Sequence, residues 1–143
     1  MLERKIKVLL SKLGLDVHNR GVITVSKQLR DEGMEVIYIG NALPEEIINI
    51  AIQEAVDIIG VSSLAGAHIQ LGQDLIKIAG KKHLNDVGII IGGIFSPQDV
   101  KRLLEIGFDD VFTAGAMKKD IIGSISRIYK KKVKNKEKKN KKF

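Results

Sequence analysis

The sequence contains no cysteine, and this absence excludes several kinds of chemistry at once. Disulfides, thiolate nucleophiles and cysteine-ligated zinc or iron–sulfur centres are impossible without it. No apolar run approaches the roughly 20 residues needed to span a membrane. The charged start, MLERKIKVLL, is also unlike a secretory signal. With 143 residues, 44% of them hydrophobic, the chain is expected to form one soluble, cytoplasmic domain.

Acidic residues are scarce at the carboxyl end, where positive charge accumulates. Residues 130–143 hold nine lysines and one glutamate, a net charge of +8, whereas the rest of the chain carries 15 basic and 16 acidic side chains. We predict a folded body over 1–129 and a lysine-rich, disordered tail over 130–143, because runs of like charge repel themselves. Docking of this tail to an acidic protein surface or to RNA is the alternative, and nothing in the nearly neutral body indicates nucleic-acid binding.

Strand-like and helix-like segments alternate along the body. Strands are predicted at 6–10, 34–39, 57–61, 87–91 and 110–112. Helices are predicted at about 21–32, from Pro44, at about 67–80, from Pro97 to near Gly107, and from about Met117 to the tail. This alternation with short loops predicts a flavodoxin-like (Rossmann-like), doubly wound, five-stranded parallel sheet with helices on both faces. Ligands of such sheets bind at the carboxyl ends of the strands.

The segment after the first strand, GLDVHNRG, places a carboxylate two residues before an imidazole. Asp16 can accept a hydrogen bond from one ring nitrogen of His18, which leaves the other nitrogen free to bind a metal. The segment is longer than a simple strand-to-helix turn, and Gly21 allows the chain to turn into the next helix. We therefore regard it as a candidate binding loop, with a surface histidine of no function as the alternative.

Small and hydroxyl-bearing residues follow the next strands at the same edge of the predicted sheet. Ser62 and Ser63 follow the third strand, where capping of the next helix would explain one serine. Gly92 and Gly93 follow the fourth strand and leave room for a bulky group near the backbone. Together with Gly115 after the fifth strand, these residues predict one continuous cleft for a large flat or elongated ligand.

The other two histidines are expected to have lesser roles. His68 is predicted at the surface in the first turn of the third helix, with ligand or substrate contact as the alternative. His83 stands in the polar stretch HLND and is predicted to be structural or exposed.

Three motifs occur in order at the predicted strand ends: DVHNRG from Asp16, SSL from Ser62 and GG from Gly92. As D-x-H-x-x-G, S-x-L and G-G, they resemble the cobalamin-binding domain of adenosylcobalamin-dependent mutases. The likeness is closest to the methylmalonyl-CoA mutase branch with its small-subunit relatives, and it extends over about 5–129. Val17 and Asn19 stand where that branch usually has glycine and aspartate.

The resemblance implies that adenosylcobalamin binds with its own dimethylbenzimidazole base displaced, and that His18 takes the lower axial position on cobalt. Asp16 would accept a hydrogen bond from His18, Ser62 would donate one to the buried nucleotide tail, and Leu64 would line the slot for that tail. Gly92 and Gly93 would let the tail pass close to the backbone, and Gly115 would line the far wall of the slot. The implied cofactor-binding residues are Asp16, His18, Asn19, Arg20, Gly21, Ser62, Ser63, Leu64, Gly92, Gly93 and Gly115, with His18 as the metal ligand.

The resemblance also implies a partner. In the family, substrate binding and radical chemistry belong to a separate (β/α)₈ barrel of roughly 250 residues, which is longer than this chain. We therefore expect the chain to be the small subunit of a heteromeric isomerase that is inactive alone. The large barrel subunit would bind the acyl-CoA substrate, and the cofactor would lie between the subunits and carry the chemistry.

Three other functions share parts of these motifs. A corrinoid methyl carrier would have a helical cap ahead of the domain, and few residues precede the first predicted strand here. A stand-alone cobalamin-dependent sensor would share the loops but would bind another protein in place of a barrel. A receiver domain is excluded, because it needs a phosphorylatable aspartate after the third strand, where this chain has Ser62 and Ser63.

Overall fold

The computed structural model describes residues 5–14, 20–63, 68–113, 116 and 118–133. Over these residues, strands and helices alternate along the chain. The strands are β1 (Lys7–Leu13), β2 (Glu35–Ala42), β3 (Ile58–Ser63), β4 (Gly88–Gly93) and β5 (Asp110–Phe112). The helices are α1 (Arg20–Asp31), α2 (Pro44–Glu54), α3 (His68–Lys81), α4 (Pro97–Ile106) and α5 (Lys118–Ile128), and α5 continues into a π-helical stretch (Tyr129–Val133). Within the described ranges, no helix has both the length and the apolar character that a membrane crossing requires.

Neighbouring strands are parallel, and their order across the sheet is β2-β1-β3-β4-β5. The chain adds β2 on one side of β1 and β3 on the other, which creates the switch point where sheets of this class bind ligands. Helices α1 and α5 pack on one face through a core that includes Val22, Leu29 and Ile125. Helices α2, α3 and α4 pack on the other face, where Ile47, Leu75 and Leu103 are buried. The predicted flavodoxin-like, doubly wound sheet with helices on both faces is confirmed.

Strands β3 and β4 extend two residues further toward the carboxyl edge than predicted. Ser62 and Ser63 pair with Gly92 and Gly93 in the parallel ladder, so all four belong to strands and not to loops. The apolar pattern stops earlier because the ladder needs only backbone N–H and C=O groups, which serine and glycine also supply. Since α3 begins at His68, neither serine caps it, and capping as an explanation for them is wrong.

The two prolines begin helices, as the sequence predicts. Pro44 is the first residue of α2, and Glu46 in the same turn accepts a hydrogen bond from the backbone before it. Pro97 is the first residue of α4, and the Oγ of Ser96 accepts a hydrogen bond from the backbone N–H of Asp99 at 3.1 Å. These caps satisfy N–H groups that no helical bond reaches, so they fix where the chain turns back from the carboxyl edge.

The folded part continues past the boundary predicted at residue 129. Tyr129–Val133 forms the π-helical stretch, and the Nζ of Lys132 donates hydrogen bonds to the carboxylate of Asp109 at 2.8 Å and to the carbonyl of Val87 at 3.3 Å. Lys132 therefore contacts the sheet, because the residue before β4 offers it a carbonyl and the residue before β5 offers it an anion. The rest of the predicted tail, residues 134–143, lies outside the described residues.

Replacing Lys132 with methionine is expected to lower the free energy of unfolding by about 1 kcal/mol. The ion pair with Asp109 is only partly exposed, at 26% and 20% of the two side chains, and methionine keeps the apolar stem but not the charge. The measurement is urea denaturation of Lys132→Met beside Lys131→Met, which removes an equal charge from an exposed neighbour. Equal losses in the two variants would show that general charge, and not this pair, accounts for the effect.

Candidate functional site

A cavity of about 260 Å³ opens at the carboxyl edge of the sheet, on the face covered by α1 and α5. Its walls come from the ends of four strands, β1, β3, β4 and β5, and from both helices. This is the edge at which the switch point between β1 and β3 lies. The cavity is therefore where the sequence predicts a ligand cleft.

The floor of the cavity is a row of three residues paired across adjacent strands. Ser62 pairs with Gly92, and Gly92 pairs with Phe112. A Cβ added to Gly92 would find its nearest neighbours at 3.7 and 4.0 Å, both in Phe112, so the space above this glycine is open. Gly60 lies two residues before Ser62, on the same face of β3. The space above Gly60 is filled by the side chain of Leu10. The cavity exists because β4 carries no side chain at residue 92.

Apolar side chains form the side walls. Val22 and Val25 line the cavity from the first turns of α1, next to the backbone of Gly21. Ile121 lines the cavity from α5. Ile94 stands at the rim with 70% of its surface exposed. Such a mostly apolar slot, with a hydroxyl from Ser62 on its floor, suits a flat or elongated group that offers one hydrogen-bonding atom.

Gly93 has a different role from that of its neighbour Gly92. A Cβ on Gly93 would overlap the carbonyl oxygen of Ser63 on the adjacent strand, so glycine is required there for strands β3 and β4 to pair. Alternation turns the side chain of Ser63 to the opposite face from Ser62, where it is 1% exposed. Its Oγ has no hydrogen-bond partner among the described residues. The structure thus brings Gly21, Ser62 and Gly92 to the cavity, together with the backbone of Gly93, but not the side chain of Ser63.

Several predicted site residues lie outside the described part of the chain. These are Asp16, His18, Asn19, Leu64 and Gly115, so their predicted contacts stay predictions. Arg20 is the first residue of α1, and the residue after it, Gly21, lines the cavity.

The remaining histidines stand as the sequence suggests. His68 is the first residue of α3, in agreement with its predicted first-turn position. His83 is exposed and adopts a left-handed backbone with φ of 60° in the turn after α3.

Sequence reasoning missed Lys12, the second-last residue of β1, which is only 5% exposed. It pairs with Ser62 of β3, and alternation along β1 places it on the face shared by Leu10, which is the face with the cavity. Burying the amine of a lysine is costly unless polar groups compensate it, and Lys12 does have an interaction partner in the structure. A lysine shortly after the apolar run Val8–Leu10 was the available signal, but the strand was predicted to end at Leu10.

A doubly wound sheet with an apolar cavity beside its switch point defines a flavodoxin-like ligand-binding domain. Residues 6–118 match the family model described as the B12 binding domain, so the chain belongs to the B12-binding domain family. The chain is 40% identical over 126 residues to the 2-hydroxyisobutanoyl-CoA mutase small subunit of Aquincola tertiaricarbonis, with 87% of this chain and 93% of that protein covered. It is 36% identical over 132 residues to the pivalyl-CoA mutase small subunit of Xanthobacter autotrophicus, covering 90% of this chain and 86% of that protein.

Among solved structures, the fold is similar to that of a cobalamin-binding protein from Desulfitobacterium hafniense. The TM-score is 0.75 at 20% identity, over 87% of this chain and 60% of that one. At this identity the likeness concerns the fold alone.

Proposed function

We propose that this chain is the cobalamin-binding small subunit of an acyl-CoA mutase of the methylmalonyl-CoA mutase type. Two relatives that align over most of their length are named small subunits of acyl-CoA mutases, which supports this assignment. The observation that carries the proposal is the cavity floored by Ser62 and Gly92 in a chain of the B12-binding family. The cofactor is adenosylcobalamin, and the partner is a large subunit with a (β/α)₈ barrel that binds the acyl-CoA.

The described residues fit the nucleotide tail of the cofactor. The open space above Gly92 is one that any side chain would occupy, so the floor of the cavity suits a ligand that reaches the backbone. The apolar walls of α1 and α5 would hold the benzimidazole base, and the hydroxyl of Ser62 would donate a hydrogen bond to it. This apolar environment also favours removal of the base from water.

His18 would bind cobalt from below in place of the displaced base. Asp16 would accept a hydrogen bond from the other ring nitrogen, which fixes the tautomer of His18 and raises its basicity toward the metal. Asn19, Arg20 and Gly21 would contact the cofactor at the start of α1. When bound, adenosylcobalamin supplies a cobalt–carbon bond whose cleavage starts radical rearrangements. This chain would bind that cofactor, hold the ligating nitrogen of His18 in place and keep the nucleotide tail out of water.

Reconstitution with the large mutase subunit of the same organism tests the proposed function. We expect isomerisation of an acyl-CoA, followed by mass spectrometry, only when this chain, the large subunit and adenosylcobalamin are all present. Equal activity without this chain would contradict a role as the small subunit. Tight binding of hydroxocobalamin, with no isomerisation of any acyl-CoA, would favour a stand-alone corrinoid carrier or a sensor module.

A further inference from the structure

The ends of β1 and β2 do not pair in simple register. Leu10 pairs with Tyr38, but two residues later Lys12 pairs with Asn41, so β2 contains one residue more than β1 over this interval. Gly40 lies inside this bulge with φ of +73°, a left-handed conformation that favours glycine. Bulges of this kind commonly redirect a side chain near a functional site. Here the redirected residue is Asn41.

The two residues of β2 that follow the bulge hold both polar backbone groups of Gly14, which is the last described residue before the segment that contains His18. The backbone N–H of Gly14 donates to the carbonyl of Ala42 at 2.9 Å, and the Nδ2 of Asn41 donates to the carbonyl of Gly14 at 3.0 Å. Below them, the buried Oγ of Ser11 donates to the carbonyl of Gly40 at 2.9 Å. We call this set of residues the β1–β2 clasp.

The conformation of Gly14 is restricted in two further ways. Its φ is +79°, so a residue with a side chain would be strained there. A Cβ at this position would also lie 2.9 Å from the Cδ1 of Leu71. The direction in which the chain leaves β1 is therefore set by the clasp, by the left-handed backbone and by α3.

We infer that Asn41 is a positioning residue for the cobalt ligand, an inference that rests on the proposed function of His18. Four residues of extended chain reach at most about 14 Å, so the Cα of His18 must lie within that distance of Gly14, whose position the clasp fixes. Asn41 is exposed, and the core does not need it. Its hydrogen bond to Gly14 can be removed by a substitution that alters neither a glycine nor a buried residue.

The experiment compares wild type with Asn41→Asp, Asn41→Gln and Asn49→Ala in the full chain. Asn41→Asp keeps the size of the side chain, replaces the donor with an oxygen and places a negative charge beside the carbonyl of Gly14. Asn41→Gln keeps the amide, and Asn49→Ala removes an exposed asparagine of α2, away from the clasp. The readouts are the dissociation constant of hydroxocobalamin, the fraction of bound cob(II)alamin with histidine-nitrogen coupling in the EPR spectrum, and the urea midpoint.

For Asn41→Asp we expect affinity about fivefold to tenfold weaker, as for loss of one hydrogen bond, together with a smaller histidine-coordinated fraction. Asn41→Gln is expected to recover most of both values, and Asn49→Ala to match wild type. If Asn41→Asp lowers only the urea midpoint and leaves cobalt coordination unchanged, the clasp is merely structural and the inference fails, while the proposed function stands. If wild type itself shows no histidine coordination, the proposed role of His18 fails and this inference fails with it.

Discussion

Replacing His18 with alanine is expected to weaken the binding of hydroxocobalamin by at least about 10-fold to 100-fold, because loss of a metal ligand's outer-shell partner alone costs that much. The reason is that the cobalt would lose its protein nitrogen while the nucleotide tail kept its place in the cavity. Binding would therefore become weaker without being abolished. Titration of the purified chain, followed by visible absorbance, measures both the dissociation constant and the loss of the spectral change that marks axial exchange.

The matched control for this variant is His83→Asn. His83 is an exposed histidine in the turn after α3, with a left-handed backbone that asparagine tolerates. Like His18→Ala, this substitution removes one histidine, but it leaves the carboxyl edge of the sheet unchanged. We expect wild-type affinity from His83→Asn. An unchanged dissociation constant in His18→Ala would contradict the assignment of the ligand.

Replacing Gly92 with leucine is expected to abolish cobalamin binding, with affinity lowered by more than about 100-fold, while the chain stays folded. Gly92 stands on the cavity floor with open space above it, so an isobutyl group would occupy the place proposed for the benzimidazole base. The walls around it are apolar, and burial of apolar surface there favours the folded state. The urea midpoint is therefore expected to stay near or above that of wild type.

Gly93→Ala is the informative comparison for this second prediction. Its added methyl group would overlap the carbonyl oxygen of Ser63, and that oxygen cannot move without disturbing the ladder between β3 and β4. We expect a loss of stability of about 1–3 kcal/mol, as for overpacked interiors. Substitution of Gly92 would thus affect cobalamin binding, whereas substitution of the adjacent Gly93 would affect stability. Wild-type affinity in Gly92→Leu would show that the ligand does not use this cavity.

Much of the fold could be predicted from the sequence, because alternating apolar strands and amphipathic helices leave few possible architectures. Pro44 and Pro97 marked the starts of two helices, since proline suits the first helical turn. The ends of elements were harder to predict. Strand pairing at Ser62 depends on backbone groups that carry no apolar signal, and the ordered turn at Lys132 depends on a distant carboxylate.

The site was predictable in its motifs but not in its geometry. A double glycine indicates a close approach to the backbone, but it does not reveal what approaches. In the structure, Gly92 faces an open cavity and Gly93 faces the adjacent strand. Likewise, adjacent serines look equivalent in sequence, whereas alternation sends Ser62 to the cavity and Ser63 to the opposite face. The contribution of Asn41 depends on a bulge that no local pattern announces.

The most direct test of the central claim is the EPR spectrum of cob(II)alamin bound to the chain, recorded with natural-abundance histidine and again with ¹⁵N-histidine. If His18 is the lower ligand, each cobalt line is split into a triplet by ¹⁴N, and labelling of the protein histidines converts the triplets into doublets. A triplet that labelling leaves unchanged would mean that the benzimidazole of the cofactor still binds cobalt. That result would contradict the proposed binding mode.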